Sequence, residues 1–491
     1  MIDSGLLSAK RAISDTKSAE SVARKVSAAK RKKQKENAPP LEKRKSPRLS
    51  PDGSASASSG SNYFVPEPEP VPTSEFFHDR LNSGENIDVF SAIALDEGEE
   101  EDEDYIRDRA GITDMRDQLV SAAAKSTSTS KSKSANKNNF TSARPVMLND
   151  NVEKLTNQRA YGITTHPTLP VVVIGDKVGS VGLWNSSKSA QNSQTAFFTI
   201  AKRPIHSVQF NPTGDKLYMS STDGTIREWD TNSPSNVLTQ VFASYDDHAD
   251  FKNEPGFGVE KDGKFWTSHS VLNSEANGIY VTSNCGTLIN VDFRTASKVV
   301  FDVALSTHKL NTLSLHGNGH SVAVGGNEGV AKIFDIRALK KNKKKSVCTP
   351  VATYNSTRSI NSAMFNCDGS CLAVTSFDDT IVLIDNPATL AGEMKYDSKI
   401  AHNNQTGKWL STFHAVWHPN DSRYFACGSM KQPRCVEVFD RTKKGNAMVV
   451  ATARGDYLSA VCSRVSFHPI LPLLYGANSS GRVTRIDLVC E

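Results

Sequence analysis

The stretch LNTLSLHGNGHSVAVGGNEGVAKIFDIR, from Leu310 to Arg337, decides the fold that we predict for this chain. Three apolar runs occur in it, separated by a turn at Gly317–Gly319 and a second turn at Asn327–Gly329. Alternating apolar residues favour strands, whereas glycine and asparagine favour the tight turns between them. Three short strands that close with an aromatic residue followed by Asp form most of one β-propeller blade.

Six further segments align with this unit, so the chain is internally repetitive. The residues at the end of the third predicted strand are Trp184, Trp229, Phe293, Phe334, Ile384, Phe439 and Ile486. Successive intervals are 45, 64, 41, 50, 55 and 47 residues, which is the period of WD-type blades with two insertions. The sequence therefore predicts an all-β fold, a seven-bladed WD-repeat β-propeller over residues 146–491 that is monomeric.

Closure of the ring follows from the same alignment. The chain stops soon after the third strand of the last unit, which leaves that blade without an outer strand. We expect Val152–Thr156, ahead of the first unit, to pair there and remove the open edge. Deletion through residue 157 is then expected to destabilise the ring, whereas deletion through residue 140 is not.

Residues 1–145 have a different composition, rich in Ser, Ala, Pro and charged residues, which predicts a long disordered N-terminal arm. Two basic clusters in this arm have the spacing of a bipartite nuclear-import signal, so we expect a nuclear protein. A merely solvated basic tail is the alternative. The cluster residues are Lys30, Arg31, Lys43, Arg44 and Lys45.

Three further segments of the arm carry weaker signals. Lys35-Glu36-Asn37 looks like the KEN-type degradation signal that the cell-cycle ubiquitin ligase reads. The acidic run Asp96–Asp104 is typical of a solvated segment or of a site for a basic partner. Residues 105–125 have the spacing of a short amphipathic helix, with an apolar side formed by Ile112, Met115, Leu119 and Val120.

Several functional classes are excluded by composition. The chain contains no run of about twenty apolar residues, so we predict no membrane span. Its N-terminus lacks the apolar core of a signal peptide. The 8 cysteines favour a reducing compartment, and they lack the paired spacing of a zinc site.

Catalytic motifs are also missing from the sequence. We find neither a phosphate-binding Gly-rich loop before a helix nor a Gly-x-Ser-x-Gly elbow. His166, His418 and His468 each precede Pro at an equivalent turn of the repeat, which indicates a structural role. The sequence therefore predicts a protein that is not an enzyme and needs no cofactor.

Basic residues recur where the chain enters the first strand of successive units, and all such positions converge on one face of a propeller. A ring of Lys and Arg on that face would bind phosphates of double-stranded DNA or chromatin. Scattered surface charge is the alternative. The residues of the predicted ring are Arg159, Lys202, Arg203, Lys309, Arg358 and Lys408, with Arg464 inside the last such strand.

The insertion Pro387–Trp409, between the fifth and sixth units, combines amide, basic and aromatic side chains. Such side chains can reach base edges and stack on bases, so we expect DNA contacts here, although a plain long loop would have a similar composition. The candidate contact residues are His402, Asn403, Gln405, Lys408 and Trp409.

Two Asp-x-Arg tripeptides end third strands, on the face opposite the predicted basic ring: Asp292-Phe293-Arg294 and Asp335-Ile336-Arg337. They resemble the WDxR box with which propeller substrate receptors dock on the adaptor of a cullin-RING ubiquitin ligase. Here Val291 and Phe334 replace the Trp of that box. The alternative is that each Asp and Arg only cap a turn.

Three stretches carry a resemblance to a known family: HNNQTGKWLSTFHAVWHP (402–419), GSMKQPRCVEVFD (428–440) and ITTHPTLPVVVIGDKVGSVGLWN (163–185). They resemble the changed-mutation-rate and WD repeat-containing protein 76 family of DNA damage-binding WD-repeat proteins. That family is similar to the small, lesion-recognising propeller subunit of the UV-damaged-DNA-binding complex. The resemblance implies a nuclear, chromatin-associated protein that binds DNA with some preference for damage and works with a cullin-RING ligase.

One difference from the lesion-recognising subunit concerns the loop tip. That subunit pushes an aromatic-containing hairpin into the duplex, whereas Asn403–Gly407 offers no aromatic residue. Opening a lesion requires an apolar wedge that replaces the lost base stacking. The loop sequence therefore predicts recognition of DNA shape or backbone rather than direct flipping of a lesion.

Overall fold

Seven antiparallel sheets form the blades of a β-propeller, which confirms the predicted fold class. The structure, a computed structural model, describes residues 87–88, 110–121, 140–144, 151–187, 195–233, 237–244, 267–294, 299–339, 347–456 and 458–490. The predicted nuclear-import clusters, the Lys35-Glu36-Asn37 signal and the acidic run lie outside the described residues.

Within each blade the strands are numbered from the channel outwards. The first strands are Ala160–Thr165, Ile205–Phe210, Thr267–Leu272, Leu310–Leu315, Ile360–Phe365, Val416–His418 and Cys462–Phe467. The second strands are Val171–Asp176, Lys216–Ser221, Gly278–Ser283, Ser321–Gly326, Cys371–Ser376, Asp421–Ser429 and Leu473–Asn478. The third strands are Ser180–Asn185, Thr225–Asp230, Thr287–Asp292, Val330–Asp335, Thr380–Asp385, Cys435–Asp440 and Arg482–Cys490. The outer strands are Thr195–Thr199, Val237–Ala243, Val299–Ala304, Ala352–Asn355, Ser398–Ala401, Val449–Arg454 and Val152–Lys154.

Shorter elements complete the described chain. Single-turn 3-10 helices occupy Ile336–Ala338, Pro387–Thr389 and Gly445–Met448, and one α-helix spans residues 110–121. Short strands at Ile87–Asp88 and Gly392–Glu393 extend the second and fourth blades, and Phe140–Arg144 extends the seventh. No helix among the described residues is long and apolar enough to cross a membrane.

The unit Leu310–Arg337 folds as its sequence predicts, into three strands of the fourth blade. Middle strands such as Cys371–Ser376 are buried along their whole length, because the sheets of neighbouring blades pack face to face. One of the seven residues that we aligned at the end of the third strands, Phe293, is not at the equivalent position. Val291, which pairs with Ile279, takes the place of Trp184 and Phe334, whereas Phe293 follows the strand and stacks on Tyr218 of the second blade.

The ring closes by the predicted pairing between the N-terminal segment and the last blade. Val152–Lys154 pairs antiparallel with Arg482–Thr484 of the seventh blade. A second segment, Phe140–Arg144, pairs further along the same strand with Asp487–Cys490. The edge of the last blade is therefore covered along most of its length.

The α-helix at residues 110–121 packs against the propeller. Its side chains Ile112, Met115 and Leu119 are fully buried in one core cluster with residues of the first two blades, including Phe198 and Trp229. The folded part of the chain thus extends beyond the boundary predicted at residue 146. Deletion through residue 140 would remove this helix and expose the apolar surface that it covers, so we now expect that deletion also to destabilise the propeller.

Candidate nucleic-acid interface

Two faces of the propeller can be defined from the strand directions. In every blade the first and third strands run parallel, because both are antiparallel to the second. First strands begin on the face that we call the upper face, and third strands end on the lower face. Contacts between strand starts link neighbouring blades on the upper face: Ser268 Oγ donates to the Leu310 carbonyl, and Asn311 Nδ2 donates to the Ile360 carbonyl at 3.0 Å.

The predicted basic ring lies on or beside this upper face. Arg159 and Lys309 directly precede first strands, and their carbonyls accept hydrogen bonds from the turn between the second and third strands, from Lys177 at 3.1 Å and from Asn327 at 3.0 Å. Arg358 and Lys408 are exposed, and Lys202 and Arg203 are half-buried. Arg464 differs, because it lies in the first strand of the seventh blade and faces the central channel.

Arg159 anchors the insertion of the sixth blade. Its Nη1 donates to the carbonyl of Lys408 and, at 3.4 Å, to that of Leu410, while its guanidinium lies 5.1 Å from the centre of the Tyr161 ring. The Ser411 hydroxyl donates to the carbonyl of Ala160. The seventh blade lies between the first and the sixth, so the insertion reaches past it, and these bonds fix the far end of the insertion on the first blade.

Residues 402–405, just before this anchored segment, are held by three polar side chains: His402, Asn404 and Gln405. Asn404 is fully buried, and its Nδ2 donates to the carbonyls of Ser376 at 2.8 Å and Thr380 at 3.0 Å. The Asn404 Oδ1 therefore accepts the 2.7 Å hydrogen bond from His402 Nδ1, which places the imidazole proton on Nδ1. Burial lowers the pKa of His402, so this ring is neutral at physiological pH.

Gln405 is held in a similar way. Its Nε2 donates to the Phe377 carbonyl at 2.7 Å and to Asp379 Oδ1 at 3.2 Å. Asn403 is exposed, but its Oδ1 accepts from the Gln405 amide at 3.0 Å. The side chains of His402 and Gln405, which the sequence suggested for base contacts, thus stabilise the loop internally.

Trp409 is the outward-facing aromatic residue of this loop. It is 75% exposed, the largest value among the exposed large hydrophobic side chains of the described residues. Lys408 Nζ lies 5.1 Å from its ring centre, so a cation and an apolar plane are presented together. The sequence reading looked for an aromatic residue within Asn403–Gly407 and found none, but the exposed ring lies just beyond it.

Further basic residues of the upper face follow second strands and were not predicted. Arg482 is exposed at the start of the third strand of the seventh blade, and Lys177 and Arg434 are half-buried before the third strands of the first and sixth blades. Their recurrence between second and third strands is a signal that could have been read from the sequence. Lys431 lies on the same turn as Arg434, but its Nζ is 2.6 Å from Oε1 of the buried Glu437, which neutralises it.

Two carboxylates of the upper face accept hydrogen bonds from backbone amides. Asp176 is fully buried, and its Oδ1 accepts from the amides of Val178 at 2.9 Å and Ser180 at 2.8 Å. Burial raises the pKa of Asp176 to about 6. Asp379 likewise accepts from the amide of Asn404 at 2.8 Å. Because these acids cap turns while several Lys and Arg side chains are exposed, the outer surface of this face favours anions.

The Asp-x-Arg tripeptides lie on the lower face. Arg294 donates to Asp292 through its amide, Nε and Nη2, at 2.8, 3.0 and 2.9 Å. Arg337 binds Asp335 in the same way, at 2.9, 3.0 and 2.7 Å, which lowers the pKa of that carboxyl to about 2. Each pair caps its own turn, and both guanidinium groups remain largely exposed.

The recurring histidines of the lower face are structural. His166 Nδ1 accepts from the amides of Thr168 and Leu169, and its Nε2 lies 3.1 Å from the carbonyl of Gly214 in the next blade. His468 repeats this arrangement, with Nε2 2.8 Å from the Leu169 carbonyl. Among the described residues, no group of three or more His, Cys, Asp or Glu side chains is arranged to hold a metal ion.

Comparison with known proteins agrees with this architecture. The WD40 family, described as WD domain, G-beta repeat, matches residues 193–230 and 348–385. Each matched segment combines the outer strand of one blade with the first three strands of the next.

Relatives are similar along two thirds of the chain. WD repeat-containing protein 76 of Xenopus laevis is 30% identical over 340 residues, which are 68% of this chain and 54% of that protein. DNA damage-binding protein CMR1 of Phaeosphaeria nodorum is 29% identical over 359 residues, 67% of this chain and 65% of that protein. WD repeat-containing protein 76 of Mus musculus is 28% identical over 338 residues, which are 68% of this chain and 50% of that protein.

These relatives are longer than the part that matches, since the chain spans between half and two thirds of their length. The chain is a WD-repeat β-propeller protein. Its predicted resemblance to the changed-mutation-rate and WD repeat-containing protein 76 proteins is confirmed.

Proposed function

We propose that this protein binds double-stranded DNA in chromatin through the upper face of its propeller and acts there in the response to DNA damage. The observation that carries the proposal is Trp409, which is 75% exposed beside Lys408 on a loop fixed at both ends. The names of the relatives, DNA damage-binding protein among them, support the association with damage.

Phosphate contacts supply most of the affinity in this proposal. Arg358, Lys408 and Arg482 are exposed on the upper face, and the carboxylates of Asp176 and Asp379 are occupied by turn amides. Each lysine or arginine that neutralises a phosphate releases condensed counterions. Binding is therefore strong at low salt and weakens as salt rises.

Preference for damage comes from Trp409. An aromatic ring that enters a base step replaces lost stacking, and the cost of opening that step is lowest where a lesion has already weakened it. The contacts of Arg159 and Ser411 hold the loop in place before DNA arrives, which reduces the entropic cost of ordering it on binding. Trp409 thus serves as the apolar wedge, and it lies two residues beyond the loop tip Asn403–Gly407, which contains no aromatic residue.

A pair of charge reversals tests the face that is used. Arg358→Glu with Lys408→Glu changes two exposed cations of the upper face, whereas Lys443→Glu with Lys444→Glu makes the same change in net charge after the lower end of a third strand. With a fluorescent duplex in an anisotropy titration, we expect the first variant to lose binding and the second to retain it. Equal affinity of the two variants would exclude the upper face.

Nuclear localisation is part of the proposal and rests on Lys30-Arg31 and Lys43-Arg44-Lys45. Substitution of all five residues with Ala is expected to leave the fluorescently tagged protein in the cytoplasm. Nuclear accumulation of that variant would show that the clusters are not the import signal.

A second function, docking on the adaptor of a cullin-RING ubiquitin ligase, is favoured by one arrangement. Neighbouring third and fourth blades present the same Asp-x-Arg turn on the lower face, with Arg294 and Arg337 exposed. This face is opposite the proposed DNA surface, so a ligase adaptor and DNA could bind together.

A further inference from the structure

Nitrogen-bearing side chains from five blades meet in the central channel, and we call them the channel cluster: His206, His269, Lys309, His414 and Arg464. His269 and Arg464 occupy the same position of their first strands, directly after a β-bulge. His206 is itself the bulged residue of the second blade. Lys309 precedes the first strand of the fourth blade, and His414 precedes that of the sixth.

The members of the cluster lie close together across the channel. The rings of His269 and His414, from the third and sixth blades, have centroids 6.3 Å apart. Arg464 is near enough for its charge to lower the pKa of His206, His269 and His414, although burial has the larger effect on each. His206 is oriented by the contact between its Nε2 and Thr267 Oγ1, at 2.9 Å.

No carboxylate of the described residues balances this positive charge. The Arg464 side chain makes no hydrogen bond or ion pair within the described part of the chain, and its Nε is buried without a partner. Burial lowers its pKa to about 10. By contrast, two other cations that are largely buried each contact a carboxylate: Lys332 lies 2.6 Å from Glu328, and Arg485 lies 2.9 Å from Asp487.

An uncompensated buried cation is costly, because desolvation of the charge is not repaid by an opposite charge. The cluster is nevertheless accessible: His269, His414 and Arg464 are only partly buried, and Lys309 is exposed towards the channel. Surrounding protein atoms partly desolvate the Lys309 ammonium, which lowers its pKa. A channel that holds cations, excludes acids and admits solvent is arranged for an anionic ligand.

We propose that the channel cluster binds a small tetrahedral oxyanion of the phosphate class. N–H donors of a guanidinium, three imidazoles and an ammonium approach from different blades, which suits an anion that accepts in several directions. The rings of His269 and His414, whose centroids are 6.3 Å apart, narrow the channel between the third and sixth blades, which favours a small ion over a threaded chain. A small ion that enters from the upper face is therefore the fitting ligand.

The site is independent of the proposed DNA surface, and inorganic phosphate alone is the first probe. With the full chain at constant ionic strength, we expect the Tm to rise saturably when phosphate or sulfate replaces chloride or acetate. Arg464→Gln should weaken the apparent affinity for phosphate about tenfold or more, since it removes the charged donor. The control Lys443→Gln, at an exposed position beyond the third strand of the sixth blade on the lower face, should respond to phosphate like the unaltered protein.

The same experiment separates a ligand site from a purely structural arginine. Without phosphate, Arg464→Gln should melt at the same temperature as the unaltered protein or higher, because an uncompensated buried charge has been removed. His269→Gln is the second variant, and it should also weaken phosphate binding. A lower Tm of Arg464→Gln in chloride, or an equal phosphate response in all variants, would overturn the proposal.

The phosphate could be free or at the end of a nucleic acid strand. A single-stranded trinucleotide with a 5′-phosphate and the same trinucleotide without it distinguish these sources. A response to inorganic phosphate alone assigns a free ion, whereas a response only to the 5′-phosphorylated oligonucleotide assigns a strand end. A response to neither contradicts the site, and none of these measurements contains a duplex, so the proposed DNA binding is tested separately.

Discussion

The guanidinium of Arg159, at the start of the first blade, donates a hydrogen bond to the carbonyl of Lys408 in the insertion of the sixth blade. Two blades that are not neighbours are joined by this bond, and the exposed ring of Trp409 follows immediately in the chain. Arg159 therefore orders the segment that we propose to meet DNA, although its own charge is directed at protein carbonyls.

Loss of this anchor should loosen the insertion without unfolding the propeller. For Arg159→Ala we expect faster amide hydrogen exchange in residues 403–411 and a weaker affinity for DNA. Lys177→Ala removes a nearby cation of the same face, and it should leave exchange of the insertion unchanged. Identical protection of residues 403–411 in both variants would show that Arg159 does not hold the loop.

Trp409 should discriminate damaged from intact duplex. Stacking on a base contributes about 1–3 kcal/mol, so Trp409→Ala is expected to lower affinity for an abasic or UV-treated duplex by about tenfold or more. Affinity for intact duplex should change less, and the Tm should stay within the small range typical of exposed substitutions. Tyr396→Ala removes another exposed aromatic residue and serves as control. Equal losses on both duplexes would mean that the ring does not read the lesion.

The helix at residues 110–121 should contribute to the stability of the propeller. Leu119 is fully buried in the cluster that includes Trp229, so Leu119→Ala should cost about 2–5 kcal/mol. Asp117→Ala, on the exposed side of the same helix, should change the stability by less than about 0.5 kcal/mol. Chemical denaturation of the full chain measures both, and a Leu119→Ala variant as stable as the control would place the helix outside the fold.

Stability should fall as the pH decreases from about 6.5 towards 4. Burial lowers the pKa of His166, His418 and His468 to about 4, whereas an unfolded histidine titrates near about 6.5. In this interval the unfolded chain binds more protons, so acidification favours unfolding. Asp176, with its pKa raised to about 6, acts in the opposite direction, but it is a single group, whereas several buried histidines act in the first direction. A Tm that is constant or rises between pH 6.5 and 5 would contradict these assignments.

Adaptor docking can be tested with a control of the same local geometry. Arg294→Ala with Arg337→Ala should lose the cullin-RING ligase adaptor in a pull-down. Arg423→Ala removes an arginine that binds Asp421 at 2.8 Å in another Asp-x-Arg tripeptide, at the start of the second strand of the sixth blade, and should keep the adaptor. Full recovery of the adaptor by the double variant would show that both tripeptides only cap turns and do not bind the adaptor.

Local sequence patterns were sufficient to predict the fold. Strand alternation and Gly/Asn turns depend on residues close in sequence, so the unit Leu310–Arg337 and the closing strand at Val152 could be predicted. The register of the third blade was misassigned, because Phe293 is aromatic and Val291 is not, while pairing with Ile279 selects Val291.

Interactions across the ring could not be predicted in the same way. The bond from Arg159 to the Lys408 carbonyl joins residues far apart in sequence, and the burial of Asn404 depends on the turn around Asp379. Recurrence of basic residues before first strands was informative about their face. It could not separate exposed Arg358 from Arg464, whose strand position directs it into the channel.

The most direct test of DNA binding by the upper face is the salt dependence of affinity. Arg203→Gln, Arg358→Gln, Lys408→Gln and Arg482→Gln, combined in the full chain, should weaken binding to an intact duplex. They should also reduce the slope of log Kd against log salt by about 3 to 4, since each lost phosphate contact removes about 0.9. An unchanged slope, with affinity equal to that of the unaltered protein, would contradict DNA binding by this face.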